Sequence, residues 1–133
     1  MQDCIFCKII NGEIPAYKVY EDESTLAFLD INPINKGHVL VIPKKHEPEF
    51  QDLEDLQYTS LMSTVKKISL LIKEKIKPKR VGVMVAGWDV PHTHIHVVPM
   101  NDTTDITSKR ILEGSIQKYT PEEFEETVHL LNK

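Results

Sequence analysis

The segment His92-Thr93-His94-Ile95-His96-Val97-Val98 places a histidine at every second position, between residues that favour β-strands. Successive side chains of a strand point to opposite faces of the sheet, so we expect the three imidazoles on one face and Thr93, Ile95 and Val97 in the core. The predicted strand runs over Thr93–Pro99. A surface strand more often carries Thr, Lys or Glu on its outer face, so three histidines there indicate a use.

Three interpretations of this histidine face are open. The face is a solvated polar surface of an edge strand, a zinc site made by all three imidazoles, or a reactive site. Motifs elsewhere in the sequence are needed to distinguish these interpretations.

Four further short strands are predicted, each rich in β-branched, aromatic or other apolar residues, at Ala16–Glu21, Thr25–Asp30, His38–Ile42 and Val81–Ala86. The turn-forming residues Asp22-Glu23-Ser24 separate the first two strands and predict antiparallel neighbours. The third strand is almost continuously apolar and ends at Pro43, so we expect both of its faces to be buried.

Two helices are predicted. Residues 52–76 form a long helix before Pro78, because apolar residues recur there at steps of three and four: Leu61, Val65, Ile68, Ile72 and Ile76. Thr120-Pro121-Glu122-Glu123 is a helix start, with Thr as the cap, Pro in the first turn and Glu reaching back, and this helix continues to about Leu131. The polar stretch Asn101–Lys109 is predicted to be a flexible loop.

Composition limits the class of protein. The chain has 133 residues, 41% of them hydrophobic, and we expect one domain, residues 1–133, with its core in 4–100 and a C-terminal loop and helix in 101–133. The net charge of −4 gives no electrostatic footprint for a nucleic acid polymer. The apolar runs are too short to cross a membrane, and the N-terminus does not resemble a secretory signal, so we expect a cytoplasmic protein.

The two cysteines form one Cys4-x-x-Cys7 motif. A redox role would place this motif at a helix start within a βαβ unit, which the sequence does not contain. A tetrahedral zinc site needs two further ligands, and histidines are the available suppliers. His38 and His46 lie at opposite ends of the third strand, so one of them should serve the zinc site and the other the reactive site. The remaining histidine, His129, is predicted to be a surface or half-buried side chain of the last helix.

Several blocks of the sequence together resemble the histidine triad (HIT) superfamily, in its Hint branch and zinc-bearing type. These blocks are CIFCKIINGEIP, VYEDE, AFLDI, GHVLVIPKKH and HTHIHVVP, in order along residues 4–100. The resemblance implies an α+β, HIT-like fold, in which a five-stranded antiparallel sheet carries one long helix, and a homodimer. It also implies hydrolysis or transfer of nucleoside monophosphates through a nucleotidyl-histidine. The structural Zn²⁺ ligands implied are Cys4, Cys7, His46 and His92.

With His46 and His92 on the metal, His38, His94 and His96 are left for catalysis. An imidazole attacks phosphorus only when neutral, with one nitrogen free and the other hydrogen-bonded to fix the tautomer. We expect His94 to be this nucleophile, positioned by its two histidine neighbours. His96, a loop backbone N–H and a protonated His38 would donate to the phosphate oxygens of the transition state.

A purine nucleotide or nucleoside phosphoramidate is the implied substrate. The family points to apolar residues around the base, which are Ile5, Phe6, Ile9, Phe28, Ile31 and Leu40. Asp30 would bind the ribose hydroxyls, and the alternative for its carboxylate is an Asx turn at Asn32-Pro33.

The turn before the triad, Gly87-Trp88-Asp89-Val90, departs from the Gly-Gln-(Ser/Thr)-Val of the family. Asp89 occupies a position that we expect to contact the nucleotide. Its negative charge would repel a phosphate unless the carboxylate turns outward or pairs with a cation. Trp88 either packs or covers the pocket. The activity predicted is cleavage of nucleoside 5′-phosphoramidates or related nucleotidyl conjugates. The alternatives are a dinucleoside polyphosphate hydrolase and a zinc-stabilised nucleotide-binding regulatory protein with little turnover.

Overall fold

A computed structural model describes residues 3–115 and 117–132, and residues 1, 2, 116 and 133 of the predicted domain lie outside these ranges. The strands are β1 (Lys18–Glu21), β2 (Thr25–Leu29), β3 (Val39–Pro43), β4 (Arg80–Met84) and β5 (Ile95–Met100). The helices are α1 (Ile5–Ile10), α2 (Asp55–Lys75), α3 (Lys109–Glu113) and α4 (Pro121–Leu131). The predicted α+β class is confirmed.

The strands form one antiparallel sheet in the order β1-β2-β3-β5-β4. The first two strands pair as neighbours, as their turn predicts. β3 lies at the centre, and all five of its residues are buried. This confirms the expectation from its continuous apolar sequence.

Each face of the sheet packs against a different helix. The apolar stripe of α2 contacts one face, where Ala27, Val39, Val41, Ile95 and Val97 join Leu61, Val65, Ile68 and Ile72. On the opposite face α1 packs with Phe6, Cys7 and Ile9 against Leu26, Phe28, Leu40 and Ile42. Neighbouring residues of β2 and β3 therefore belong to different cores, as the two-residue period of a strand requires. Ile76, the last residue of the predicted stripe, is 39% exposed at the end of α2.

The prediction that the last strand begins at Thr93 is wrong, because β5 begins at Ile95. His92 and Thr93 lie in the connection that precedes the strand, where both the backbone N–H and the hydroxyl of Thr93 donate to the carbonyl of Glu47, each at 2.7 Å. These bonds hold the connection to the segment after β3 and replace strand pairing. Of the three histidines, only His96 belongs to a strand.

The N-terminal helix α1 was not among the predicted elements. It is only six residues long, and the Sγ of Cys4 accepts a hydrogen bond from the N–H of Cys7 at its start. Within the predicted flexible loop, Asp102 and Asp105 form a capping box around the short helical turn Thr103–Asp105.

The predicted C-terminal helix is confirmed as α4, which starts with the expected capping box of Thr120 and Glu123. None of its described side chains is buried, and His129 is exposed, as expected. In the described part of the chain, no helix is both long and apolar enough to cross a membrane.

Candidate active site

Four predicted metal ligands lie together at one end of the sheet, where α1, the segment after β3 and the connection before β5 meet. The ligand atoms of Cys4, Cys7, His46 and His92 are all within 4.8 Å of one another. Nδ1 of His92 is 3.5 Å from the Sγ of Cys4, and Nδ1 of His46 is 3.3 Å from the Sγ of Cys7. A tetrahedral zinc ion with Zn–S of about 2.3 Å and Zn–N of about 2.1 Å separates sulfur from nitrogen by about 3.6 Å. The donor set and its spacing therefore fit a four-coordinate zinc site.

The protonation of this cluster also suits metal ligation. Nε2 of His92 is 2.8 Å from the carbonyl of Pro43, which can only accept, so Nε2 carries the proton and Nδ1 presents a lone pair to the cysteines. Burial lowers the pKa of His92, which keeps the imidazole neutral. Burial, together with the neighbouring Cys4, raises the pKa of the Cys7 thiol to about 11. A bound cation would favour the thiolate, which is the form that ligates a metal.

His94 is held in one tautomer by the backbone. Its Nδ1 is 2.8 Å from the carbonyl of His92, so Nδ1 donates and Nε2 keeps its lone pair. The ring is 5% exposed and packs edge-on against Phe6, with the centroids 5.1 Å apart. The sequence predicts positioning by the neighbouring histidine side chains, whereas the structure assigns it to the peptide carbonyl of His92.

His38 and His96 form a directed chain of hydrogen bonds. The backbone N–H of Ile34 donates to Nδ1 of His38 at 3.1 Å, so the proton of a neutral His38 is on Nε2. This Nε2 is 2.9 Å from Nδ1 of His96 and donates to it. His96 must then carry its own proton on Nε2, so it is a hydrogen-bond donor at the far end of the chain.

Burial is the main cause that keeps both histidines of this chain neutral. It lowers the pKa of His38, against the opposing charge of Asp30. It also lowers the pKa of His96, and the nearby His94 and His38 act in the same direction, whereas Asp30 and Asp89 oppose the change.

The two carboxylate oxygens of Asp30 have different contacts. Oδ1 accepts the N–H of Asn32 at 2.8 Å, which is the Asx turn that the sequence left open. Oδ2 lies 3.5 Å from Nε2 of His38 and 3.9 Å from Nδ1 of His96. These three ligand atoms are also within 4.8 Å of one another, but Nε2 of His38 carries a proton and has no lone pair for a metal. We therefore interpret this group as a hydrogen-bond network.

One cavity of about 460 Å³ contains all the residues predicted to touch the substrate. Its lining includes the predicted nucleotide-binding residues Ile5, Phe6, Ile9, Phe28, Asp30, Ile31, Leu40 and Asp89, with His38, His94 and His96 at one side. Phe6, Ile9, Phe28 and Leu40 are buried in its wall, whereas Ile5 and Ile31 are exposed. Sequence reasoning missed further lining residues, among them Tyr17, Ile34, Met84 and Val90.

The turn that departs from the family pattern lies at the edge of this cavity. Gly87 has φ +66°, a left-handed conformation that favours glycine. Asp89 is exposed, and its charge acts to raise the pKa of His96. Trp88 is 90% exposed, so it is not a packing residue, and it does not line the cavity.

A family model described as the HIT domain matches residues 11–103. The chain belongs to the HIT domain family. An uncharacterized HIT-like protein of Methanocaldococcus jannaschii is 50% identical over 101 residues, which cover 72% of this chain and 78% of that protein. An adenosine 5′-monophosphoramidase of Candida albicans is 40% identical, covering 74% of this chain and 71% of that protein. An adenylylsulfatase of Arabidopsis thaliana is 39% identical, covering 75% of this chain and 53% of that protein.

Solved structures of HIT proteins share this fold. A HIT family member from Bacillus subtilis has a TM-score of 0.81 and 34% identity, covering 98% of this chain and 95% of its own. A zinc-bound histidine triad family protein from Mycobacterium smegmatis has a TM-score of 0.71 and 31% identity, covering 80% of this chain and 81% of its own. The family relationship supports a nucleotide hydrolase.

Proposed function

We propose that this HIT protein hydrolyses nucleoside 5′-phosphoramidates, or related nucleotidyl conjugates, through a nucleotidyl intermediate on His94. The observation that carries this proposal is the 2.8 Å hydrogen bond from Nδ1 of His94 to the carbonyl of His92. It fixes the tautomer in which Nε2 is the free nitrogen, in the wall of a cavity large enough for a nucleoside. A relative named an adenosine 5′-monophosphoramidase, with 40% identity, supports the same reaction class.

In the first step, Nε2 of His94 donates its electron pair to the α-phosphorus. The phosphorus–nitrogen bond breaks, and the leaving nitrogen takes that electron pair and a proton from solvent to become an amine. In the second step, water attacks the phosphorus and the bond between phosphorus and Nε2 breaks. The water proton passes to solvent, which leaves a nucleoside monophosphate and neutral His94.

The remaining polar residues of the cavity bind and orient the substrate. The Nε2–H of His96 would donate to a phosphate oxygen, where negative charge accumulates in the transition state. His38 holds His96 in the donor tautomer through the 2.9 Å bond between them. Oδ2 of Asp30 would accept from a ribose hydroxyl, and the apolar wall formed by Phe6, Phe28 and Leu40 would contact the base.

We further propose that Cys4, Cys7, His46 and His92 hold a structural Zn²⁺. The support is the fit of the four donors to tetrahedral spacing and the zinc-bound relative from M. smegmatis. Zinc would stabilise the thiolates and fix the junction between α1 and the connection before β5. Its ligands are all supplied by the protein, so no open position remains for substrate.

The proposed activity is tested by incubating purified protein with adenosine 5′-phosphoramidate, diadenosine polyphosphates and adenylyl sulfate, and measuring AMP. We expect the highest kcat/KM with the phosphoramidate. Higher kcat/KM on a diadenosine polyphosphate would replace the proposal with a polyphosphate hydrolase. Nucleotide binding with no AMP from any substrate would indicate a regulatory protein.

Replacing His96 with alanine should reduce kcat by about 10²- to 10³-fold, because one donor to the transition-state phosphate is lost. AMP affinity should fall much less, and kcat is measured under saturating substrate. The exposed histidine of α4, His129, provides the control, since its replacement by alanine should leave both values unchanged. An unchanged kcat for His96→Ala would remove this residue from the proposed mechanism.

We also expect a homodimer formed through α2 and the edge strand β4. β4 pairs with β5 on one side only, and three apolar residues of α2 and β4 are exposed: Leu70 is 59%, Leu71 40% and Val83 46% exposed. A second copy would cover this apolar surface and the open strand edge. Sedimentation should report a dimer, and Leu70→Glu should shift it to a monomer. A monomeric wild-type protein at micromolar concentration would contradict this expectation.

A further inference from the structure

A second cavity, of about 170 Å³, adjoins His94 and was not predicted from the sequence. Its walls are the segment after β3, Pro48–Gln51, and the segment after β4, Val85–Gly87, together with Thr93. Among the described residues, His94 is the only one that lines both this cavity and the larger one. The proposed nucleophile therefore lies at the junction of two separate spaces.

This junction matches the needs of a phosphorus atom with two large substituents. The phosphorus must come within bonding distance of His94, with the nucleoside on one side and the leaving group on another. A nucleoside that occupies the 460 Å³ cavity leaves the smaller cavity as the adjoining space for the leaving group. At about 170 Å³, this space suits a short alkyl chain better than a second nucleoside.

The charge of the smaller cavity is set by Glu49. Among the described residues of its lining, Glu49 is the one acidic side chain, and none is a lysine or arginine. The side-chain amide of Gln51 donates to Oε2 of Glu49 at 2.8 Å, which holds the carboxylate at the wall while Oε1 keeps its capacity to accept. Phe50, 42% exposed, adds apolar surface for the methylene groups of a chain.

We infer that the smaller cavity is the leaving-group subsite, and that Glu49 selects amine leaving groups whose far end is positively charged. The inference rests on the proposed function, because it takes His94 as the attacking residue. An alkylammonium group is attracted by the carboxylate, whereas a polyphosphate or carboxylate leaving group is repelled. Glu49 acts on the leaving group and takes no part in the bond changes at phosphorus.

The test uses three adenosine 5′-phosphoramidates that share the same phosphorus–nitrogen bond. Their nitrogen substituents are 4-aminobutyl, pentyl and 3-carboxypropyl, so the far end is cationic, neutral or anionic. With wild-type protein we expect kcat/KM to fall in that order, by about two- to fivefold at each step, since exposed charge pairs are weak. High salt should reduce these ratios.

Variants of Glu49 separate the inference from the proposed function. Glu49→Gln should bring the three kcat/KM values together, and Glu49→Lys should reverse their order, with AMP affinity and melting temperature unchanged. Glu125→Gln on α4, which lines neither cavity, makes the same charge change and should keep the wild-type ratios. If the protein hydrolyses the three substrates but Glu49→Gln leaves the ratios of their kcat/KM values unchanged, the inference is overturned and the proposed function stands. Absence of turnover on all three substrates overturns the proposed function and the inference with it.

Discussion

Replacing His94 with alanine is expected to lower turnover by a factor of a thousand or more, while nucleotide binding remains. The reason is that the Nε2 lone pair, which the hydrogen bond from Nδ1 to the carbonyl of His92 leaves free, is the proposed nucleophile. Removal of a covalent nucleophile costs on the order of 10³-fold or more in kcat. Single-turnover release of AMP measures the rate, and titration with AMP measures binding.

The conservative variant His94→Asn strengthens this test, because it retains a polar side chain of similar size without the nucleophilic nitrogen. Acid-quenched samples of the wild-type protein, digested and analysed by mass spectrometry, should show a nucleotidyl group on His94. Hydrolysis by His94→Ala near the wild-type rate, or an adduct located on His96, would falsify the assignment.

Removing the metal is expected to produce the largest change in stability. Purified protein should contain about one zinc per chain, and a chelator should lower its melting temperature, because metal binding contributes to folding. If free zinc exceeds its Kd a thousandfold, the loss is about 4 kcal/mol. For a chain of this size that is a decrease in melting temperature on the order of 10 °C or more. Elemental analysis and calorimetry measure the two effects.

Substitutions locate the metal. His92→Ala should lose zinc and activity together, whereas His94→Ala should lose activity and keep its zinc, although the two positions are only two residues apart. His129→Ala on α4 serves as the control for the loss of an exposed imidazole. Metal-free protein with an unchanged melting temperature would count against the zinc site.

The fold is largely predictable because its strands and long helix carry strong local patterns. The two-residue period of a strand sends alternate side chains of β2 and β3 to the two cores, and the stripe of α2 gives its buried face. The start of β5 is not predictable in this way, because it depends on hydrogen bonds from Thr93 to the carbonyl of Glu47, 46 residues earlier. The helix α1 is too short for a periodic signal, since its six residues make less than two turns.

The side chains of the candidate site could be proposed from the sequence, but their orientation could not. Reasoning from the ends of β3 separates His38 from His46, and the structure places them in different clusters. The tautomers, by contrast, are fixed by backbone groups of Ile34, Pro43 and His92. Peptide groups are the same at every position, so only the folded backbone shows where they point. The smaller cavity could not be predicted from the sequence either, because its walls are two connections that only the folded backbone brings together.

The six-residue helix α1 would couple the binding of the proposed metal to the binding of nucleotide. In α1 and its cap, Cys4 and Cys7 face the metal cluster, whereas Ile5, Phe6 and Ile9 line the larger cavity. Six residues do not form a stable helix alone in water, so zinc bound by Cys4 and Cys7 would help to maintain this wall of the cavity. Ligands that favour the same conformation of α1 must strengthen each other reciprocally. Nucleotide should therefore increase the affinity for zinc, measured by competition with a chelator, by the same coupling free energy through which zinc would increase the affinity for nucleotide.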